Sequence, residues 1–440
     1  MLISNVLTAT SEVEIDDDED LQRPETQTRK GKKVNLMTMI FNNLLRRLGV
    51  SAVILLLFSA SAYTQIAVKG ETVWTMTGDP ITNGVILINN GKIEAVGNAA
   101  SVKIPTNYRV LSAKVVTPGL IDAHTVVGLN GYLNQPHDQM ALDGGNSVQP
   151  ELRAIDAYDA EEKLIEWIRG FGVTTIHTGH QPSALVSGQT MVAKTTGRNV
   201  DEATVIPIAM IAVTFGQSAL AGTGKSPGTR AKQVSMLRAE LIKAHESSKK
   251  TEAPKDLKSE ILMKVIKREI PLLITAHKSQ DIMSALRIAK EFNIRIVLDG
   301  AAEAYSVIEE IKAANIPVII HPTMYRAGGE TENLNMETAS KLKAAGITVA
   351  LQSAFEGYVP KTRVVLFEAA LAAANGLSRR DALATITIDA AKILGLDRRI
   401  GSIETGKDAD LAMYDGDPFE YTTHCTGTMI NGQIVSEVVR

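Results

Sequence analysis

The residues best suited to chemistry in this chain are its histidines. Of eight histidines in 440 residues, four fall at the ends of apolar runs that read as β-strands: His124, His177, His277 and His321. Asp299 ends another such run, and His180 follows three residues after His177. Imidazole is the commonest side-chain ligand for a divalent metal and the side chain that titrates nearest neutral pH. A set of histidines and a carboxylate at the ends of neighbouring strands therefore points to a metal-bound water or to proton transfer. For any one of them the plainer role is a hydrogen-bonded histidine in the core.

Such residues converge only if the elements carrying them do. From residue 270 onward the chain alternates apolar strands and helices: strand Ile270–His277, helix Asp281–Glu291, strand Ile294–Asp299, helix Glu303–Ala313, strand Ile316–His321, helix Met336–Ala345, strand Ile347–Gln352. Near-continuous apolar strands are those of a parallel sheet covered on both faces. Gly119–His124, Val173–His177, Met191–Thr195 and Thr204–Val213 supply further strand candidates, with a helix expected over Ala160–Arg169. About eight strands predict a closed α/β barrel, with an open doubly wound sheet as the alternative. In a barrel the active site lies at the C-terminal strand ends, where these histidines fall. Two Asn-Gly pairs, Asn90-Gly91 and Asn431-Gly432, each sit between β-branched runs and predict hairpins at opposite ends of the chain. One small β-domain assembled from both ends is the expected result.

Pro118-Gly119-Leu120-Ile121-Asp122-Ala123-His124 resembles the P-G-x-I-D-x-H-x-H segment of the metal-dependent amidohydrolases. Gly401-Ser402-Ile403-Glu404, Gly406-Lys407-Asp408-Ala409-Asp410-Leu411 and Asp415-Gly416-Asp417-Pro418 resemble their C-terminal signature. Gly172-Val173-Thr174-Thr175, Gly188-Gln189 and Lys194-Thr195-Thr196-Gly197-Arg198 are similar to the imidazolonepropionase-like branch. The resemblance implies a (β/α)8 barrel over residues 118–395 and a small β-sandwich formed from both termini, residues 63–117 plus 396–440. It also implies hydrolysis of carbon–nitrogen bonds other than peptide bonds, through one or two divalent metals, usually zinc. The family's ligands are His-x-His on strand one, a histidine each on strands five and six, and an aspartate on strand eight.

Carried over residue by residue, His124 and His277 match metal ligands, and three positions do not. Val126 stands at the second histidine of strand one, Gly300 at the strand-six histidine and Ala354 at the strand-eight aspartate; the nearest carboxylate is Glu356. Catalytic zinc normally has three protein ligands besides its water, and two imidazoles hold it weakly. Two readings follow. In one, the protein keeps fold and pocket, holds zinc weakly or not at all, and has lost hydrolysis. In the other, it is an active hydrolase whose rearranged site uses His124, His277, Asp299 and His321, with Lys194 as a candidate metal-bridging carbamate. For Lys194 the plainer role is an ion pair, and for Asp299 a position at a helix N-terminus.

The expected partners are a small amide-like ligand and either a second copy or an active relative. Nucleic acid is not expected, because 46 basic side chains face 49 acidic ones and the net charge is −3. Gly222–Ser226 looks like a phosphate loop, but Ala219 stands where its first glycine belongs and Pro227 follows at once. The single cysteine, Cys425, excludes an intrachain disulfide. Residues 1–36 are polar and charged, and read as disordered or as a start assigned too early. Arg46-Arg47, the apolar run Leu48–Ala62 and Ala60-Ser61-Ala62 give residues 37–62 the layout of a signal peptide. Contact with a membrane is expected only through that segment, and the mature protein is expected to begin near Tyr63 and to be periplasmic or secreted.

Overall fold

The structure, a computed structural model, describes residues 65–440 apart from 134, 223, 250–255, 322–326 and 355–363. The expected leader over residues 37–62, the segment 1–36 and Glu356 lie outside the described residues. Among the described residues no helix is long and apolar enough to cross a membrane.

Strands from the two ends of the chain hydrogen-bond into one seven-stranded sheet. The N-terminal strands are β1 (Ile66–Val73), β2 (Ile81–Asn89), β3 (Lys92–Asn98) and β4 (Arg109–Pro118). Both Asn-Gly turns form as expected, with left-handed φ of 51° and 77° at Asn90 and Gly91 and 48° and 74° at Asn431 and Gly432. The two turns touch: a Cβ on Gly432 would lie 2.9 Å from Gly91 Cα, so only glycine fits there. Ile66, Val68, Ile86, Ile88, Leu411 and Met429 form the apolar core of this sheet.

The barrel strands are β5 (Leu120–Thr125), β6 (Val173–Thr178), β7 (Val186–Gln189) continued by β8 (Met191–Lys194), β9 (Thr204–Ile206) running on towards β10 (Ile211–Thr214), β11 (Leu272–Ala276), β12 (Ile296–Gly300), β13 (Val318–Ile320) and β14 (Val349–Leu351). After them come β15 (Leu411–Tyr414), β16 (Cys425–Ile430) and β17 (Gln433–Ser436), which complete the outer sheet in the order β17-β16-β15-β4-β1-β2-β3. The barrel sheets are ordered β5-β6-β8-β9 and β7-β10-β11-β12-β13-β14. They join where Thr190 N–H donates to Met210 O at 2.9 Å and Ala209 N–H donates to Thr190 O at 2.8 Å. A parallel bridge between Thr125 and Ala354 closes the circle.

One strand departs from the expected all-parallel barrel. The continuous strand 186–194 runs antiparallel to β6 on one side and to β10 on the other. The cause is connection length. Residues 179–185 before it form no helix, and the helix between it and β9, Val200–Ala203, is a single turn. A parallel crossover needs about a dozen residues or more, usually a helix. The chain therefore folds back as hairpins on both sides.

Ile121, Val192, Leu273, Val297, Ile319 and Ala350 fill the lower barrel, and Ala390, Ala391 and Leu394 close it from below. This apolar layer leaves the C-terminal ends of β5, β6, β11, β12, β13 and β14 as the place where polar side chains meet.

Candidate active site

At the mouth the strand alternation that puts Leu273 and Val297 in the lower layer puts Thr275 and Asp299 one step above them. Asp299 is 2% exposed and sits at the centre of the polar layer. Its carboxylate accepts hydrogen bonds from His124 Nδ1 at 2.9 Å, Thr275 Oγ1 at 2.6 Å and Gln352 Nε2 at 2.9 Å. Burial pushes the Asp299 carboxyl up, but the His124 charge and these donors outweigh it and hold it below the usual carboxylate range. Burial likewise pushes His124 down, and the Asp299 charge and hydrogen bond more than reverse this. The pair is therefore a buried ion pair rather than an aspartate capping a helix. His124 Nε2 is buried without a hydrogen-bond partner among the described residues.

Beside this pair, Asp122 accepts from Ser353 N–H at 3.0 Å, from the Ser353 hydroxyl and from His124 N–H at 3.3 Å. Burial raises its pKa to about 7 against these donors. The register of β5 on β6 slips between Asp122 and Thr125, which turns His124 towards Asp299.

His177 Nδ1–H donates to Ala123 O at 2.7 Å, and Nε2 meets Thr190 Oγ1 at 2.7 Å. Both nitrogens are engaged, and burial together with the nearby His124 brings the pKa down to about 3. His177 is thus a neutral core histidine. Burial also lowers His180, to about 4. His137 lies on an exposed loop turn.

His277 lies across Gly300. A Cβ on Gly300 would approach His277 Cε1 to 2.6 Å, and Gly300 has φ 72°. The His277 imidazole thus fills the space that a side chain at 300 would enter. Its Nδ1 has no hydrogen-bond partner among the described residues, and burial lowers its pKa. His321 is buried at the end of β13, its N–H bonded to Gly300 O at 2.8 Å.

The structure brings His124 and Asp299 together and leaves Lys194 elsewhere. Because its strand runs backwards, Lys194 lies opposite Thr175, near the start of β6 and below the mouth. Its amine is committed to Asp410, both side chains being 4% exposed. A metal-bridging carbamate at Lys194 is therefore corrected to a buried ion pair between barrel and outer sheet. Val126 packs on the apolar core, and Ala354, at φ 56°, closes the barrel through its N–H to His124 O at 3.1 Å.

These donors do not fit a catalytic metal. Among the described residues no group of three or more His, Cys, Asp or Glu side chains is arranged to hold one. His124 Nε2 and His277 Nδ1 have no hydrogen-bond partner among the described residues, while the Asp299 oxygens are taken by three donors. Thr275, Gln352 and Ser353 were missed from sequence. The available signal was their spacing, two residues before His277 and one or two residues beyond the last apolar residue of strand eight.

Comparison with known proteins agrees with this architecture. The amidohydrolase crystal structure from Thermotoga maritima superposes with a TM-score of 0.79 at 30% identity, covering 85% of this chain and all of that one. The chain belongs to the amidohydrolase family. The sequence model of that family matches residues 244–436. The imidazolonepropionase of Rhizorhabdus wittichii is 23% identical over 373 residues, 78% of this chain and 91% of that protein. That of Fusobacterium nucleatum is 24% identical over 396 residues, 80% of this chain and 91% of that protein. These matches put this amidohydrolase in the imidazolonepropionase-like branch, whose relatives usually bind a metal.

Proposed function

We propose that this amidohydrolase binds a small amide-like molecule at the barrel mouth but has impaired or lost hydrolysis of carbon–nitrogen bonds, because it cannot grip zinc. One observation carries this reading: the Asp299 carboxylate is occupied by His124, Thr275 and Gln352, and Val126, Gly300 and Ala354 add no donor. With no set of three ligands converging among the described residues, a metal-bound water of near-neutral pKa has no support there. In this reading His124 and His277 are remnants of the ligand set, and the seven-stranded sheet is the relatives' β-sandwich, built from residues 63–117 and 396–440 around a barrel of 118–395. The protein acts in the periplasm or outside the cell after loss of residues 37–62, alone, as a homo-oligomer or beside an active relative.

One observation favours a second reading. The unpartnered His124 Nε2 and His277 Nδ1 are what an active hydrolase would need if its site were rearranged to use His124, His277, Asp299 and His321. Elemental analysis of purified protein, run with an amidase panel covering cyclic imides, N-acyl amino acids and proline dipeptides, separates the two. Well under one tightly held metal per chain and no turnover are expected. One or two retained ions, lost together with activity in His124→Ala and His277→Ala, would overturn the first reading.

A further inference from the structure

The face of the barrel opposite the mouth carries a cleft of about 1240 Å³ between the helices Ser279–Phe292 and Ile308–Ala314 and the starts of β12, β13 and β14. Its floor is apolar, with Met283, Leu286, Ile316 and Ile347. Its rim is basic: Arg268, Arg287, Lys290, Arg295 and Lys312 are all exposed, and none pairs with a carboxylate among the described residues. Lys392 is also there but is neutralised by Asp389 at 3.2 Å, and Glu310 is the carboxylate lining the cleft.

Two of these cations have a local explanation. Lys290 and Lys312 sit in the last turns of their helices, where positive charge complements the helix dipole. Arg268 likewise reaches the C-cap carbonyl of the helix Ser279–Phe292, at Asn293, whereas Arg287 and Arg295 have no such explanation. Elsewhere on this protein Arg153, Arg198, Arg230, Arg238 and Arg399 each hold an aspartate or glutamate. In the cleft the partners are neutral: Arg268 Nη1 donates to Asn293 O at 2.7 Å, Arg287 Nη2 to Ser284 Oγ at 2.8 Å, and Arg295 Nη2 to Glu269 O at 2.6 Å. Neutral acceptors fix a guanidinium in place without cancelling its charge. The result is a set of oriented cations with no carboxylate partner among the described residues, in a chain whose net charge is −3.

We propose that this cleft is a docking groove for an acidic, partly apolar peptide segment of a partner protein. Its volume exceeds the roughly 300–1,000 Å³ of small-molecule sites, which suits a length of chain. Its concavity does not suit a flat lipid surface, and its apolar floor has no counterpart in a phosphate backbone. Carboxylates at alternate positions would meet the arginine rim, where planar guanidinium forks bind them in pairs, while the side chains between them enter the floor. The groove lies on the other side of the apolar barrel core from His124 and does not depend on what happens at the mouth.

The test uses a fluorescent short synthetic peptide of alternating glutamate and leucine, titrated into the full chain and followed by anisotropy. Saturable binding is expected, weakening with added salt and falling about tenfold or more in Arg287→Gln/Arg295→Gln. Arg153→Gln, at a residue that does not line the cleft, serves as a control and is expected to leave binding unchanged. Peptides with glutamine for glutamate, or serine for leucine, are expected to bind weakly or not at all. Urea midpoints check that the variants are folded, and Arg287→Lys/Arg295→Lys, which keeps the charge but loses the fork geometry, is expected to bind between the wild type and the glutamine double variant. Absence of saturable binding, equal binding by the glutamine variant, or phosphatidylglycerol vesicles binding at this cleft while the peptide does not would each overturn the proposal.

Discussion

Removing the Asp299 carboxylate tests the reasoning about the barrel mouth most directly. In Asp299→Ala, His124 Nδ1, Thr275 Oγ1 and Gln352 Nε2 all lose their acceptor in a site that is 2% exposed. An orphaned buried donor costs about 1–3 kcal/mol. The Thr275 hydroxyl can rotate to another acceptor, but the imidazole and the amide have less freedom. Two to three orphaned donors give an expected loss of about 3–6 kcal/mol in unfolding free energy. Asp299→Asn keeps one acceptor oxygen and loses the charge that holds His124 protonated, so about half that loss is expected. Urea unfolding with and without a chelator is the assay. If the network is self-contained, the loss is the same in both. If a cation held by Asp299 supplied the stability, chelated wild type would itself be weakened and the difference would shrink. A loss below about 1 kcal/mol, or one that disappears on chelation, would refute the account of Asp299 as a saturated internal counter-charge.

Other outcomes follow from the same structure. Lys194→Met strands Asp410 in a site where both partners are 4% exposed, so a loss of about 3–5 kcal/mol is expected, partly recovered in Lys194→Met/Asp410→Leu; equal losses in both variants would remove the ion pair as the cause. Glu303 accepts from Ser279 N–H, Asn333 and Lys278, and these outweigh its burial and bring its pKa down to about 2. Its folded pKa is below its unfolded one, so its stabilisation is present above about pH 4.5 and is lost as pH falls towards 2; Glu303→Gln should lower stability by about 2–3 kcal/mol at pH 7 and by progressively less below pH 4.5. A pH-independent difference would count against this. Intact-mass analysis of exported protein should give a chain starting near Tyr63, and a mass that includes residues 1–36 would refute the leader reading.

Much of this architecture was legible because it rests on local rules. The two Asn-Gly turns need left-handed residues, and they form where the pairs stand. The βα repeat from residue 270 onward survives with helix ends shifted by a few residues, and the histidines expected at strand ends lie there. The direction of strand 186–194 was not read from its apolar pattern. A buried strand looks alike in either direction, and only the short connections around it carry the information. That reversal moved Lys194 from a candidate ligand to the bottom of the barrel.

The polar layer shows a different limit. Matching motif positions one at a time identifies Val126, Gly300 and Ala354 as departures from the family pattern but not what their neighbours do in space. Asp299 lies one residue before Gly300, yet strand alternation points it inward, where it takes hydrogen bonds from strands one, five and eight. Gly300, in turn, leaves room for the His277 ring. The two positions are linked physically: the Asp299 carboxylate faces His124, and the absence of a side chain at Gly300 leaves space that the His277 ring fills. On the proposed reading, the mouth should resist restoration one residue at a time. Gly300→His would have to displace the His277 ring and would also meet a backbone at φ 72° that disfavours any side chain. That single variant should destabilise the fold without raising metal content, whereas a site merely missing one ligand would gain a metal.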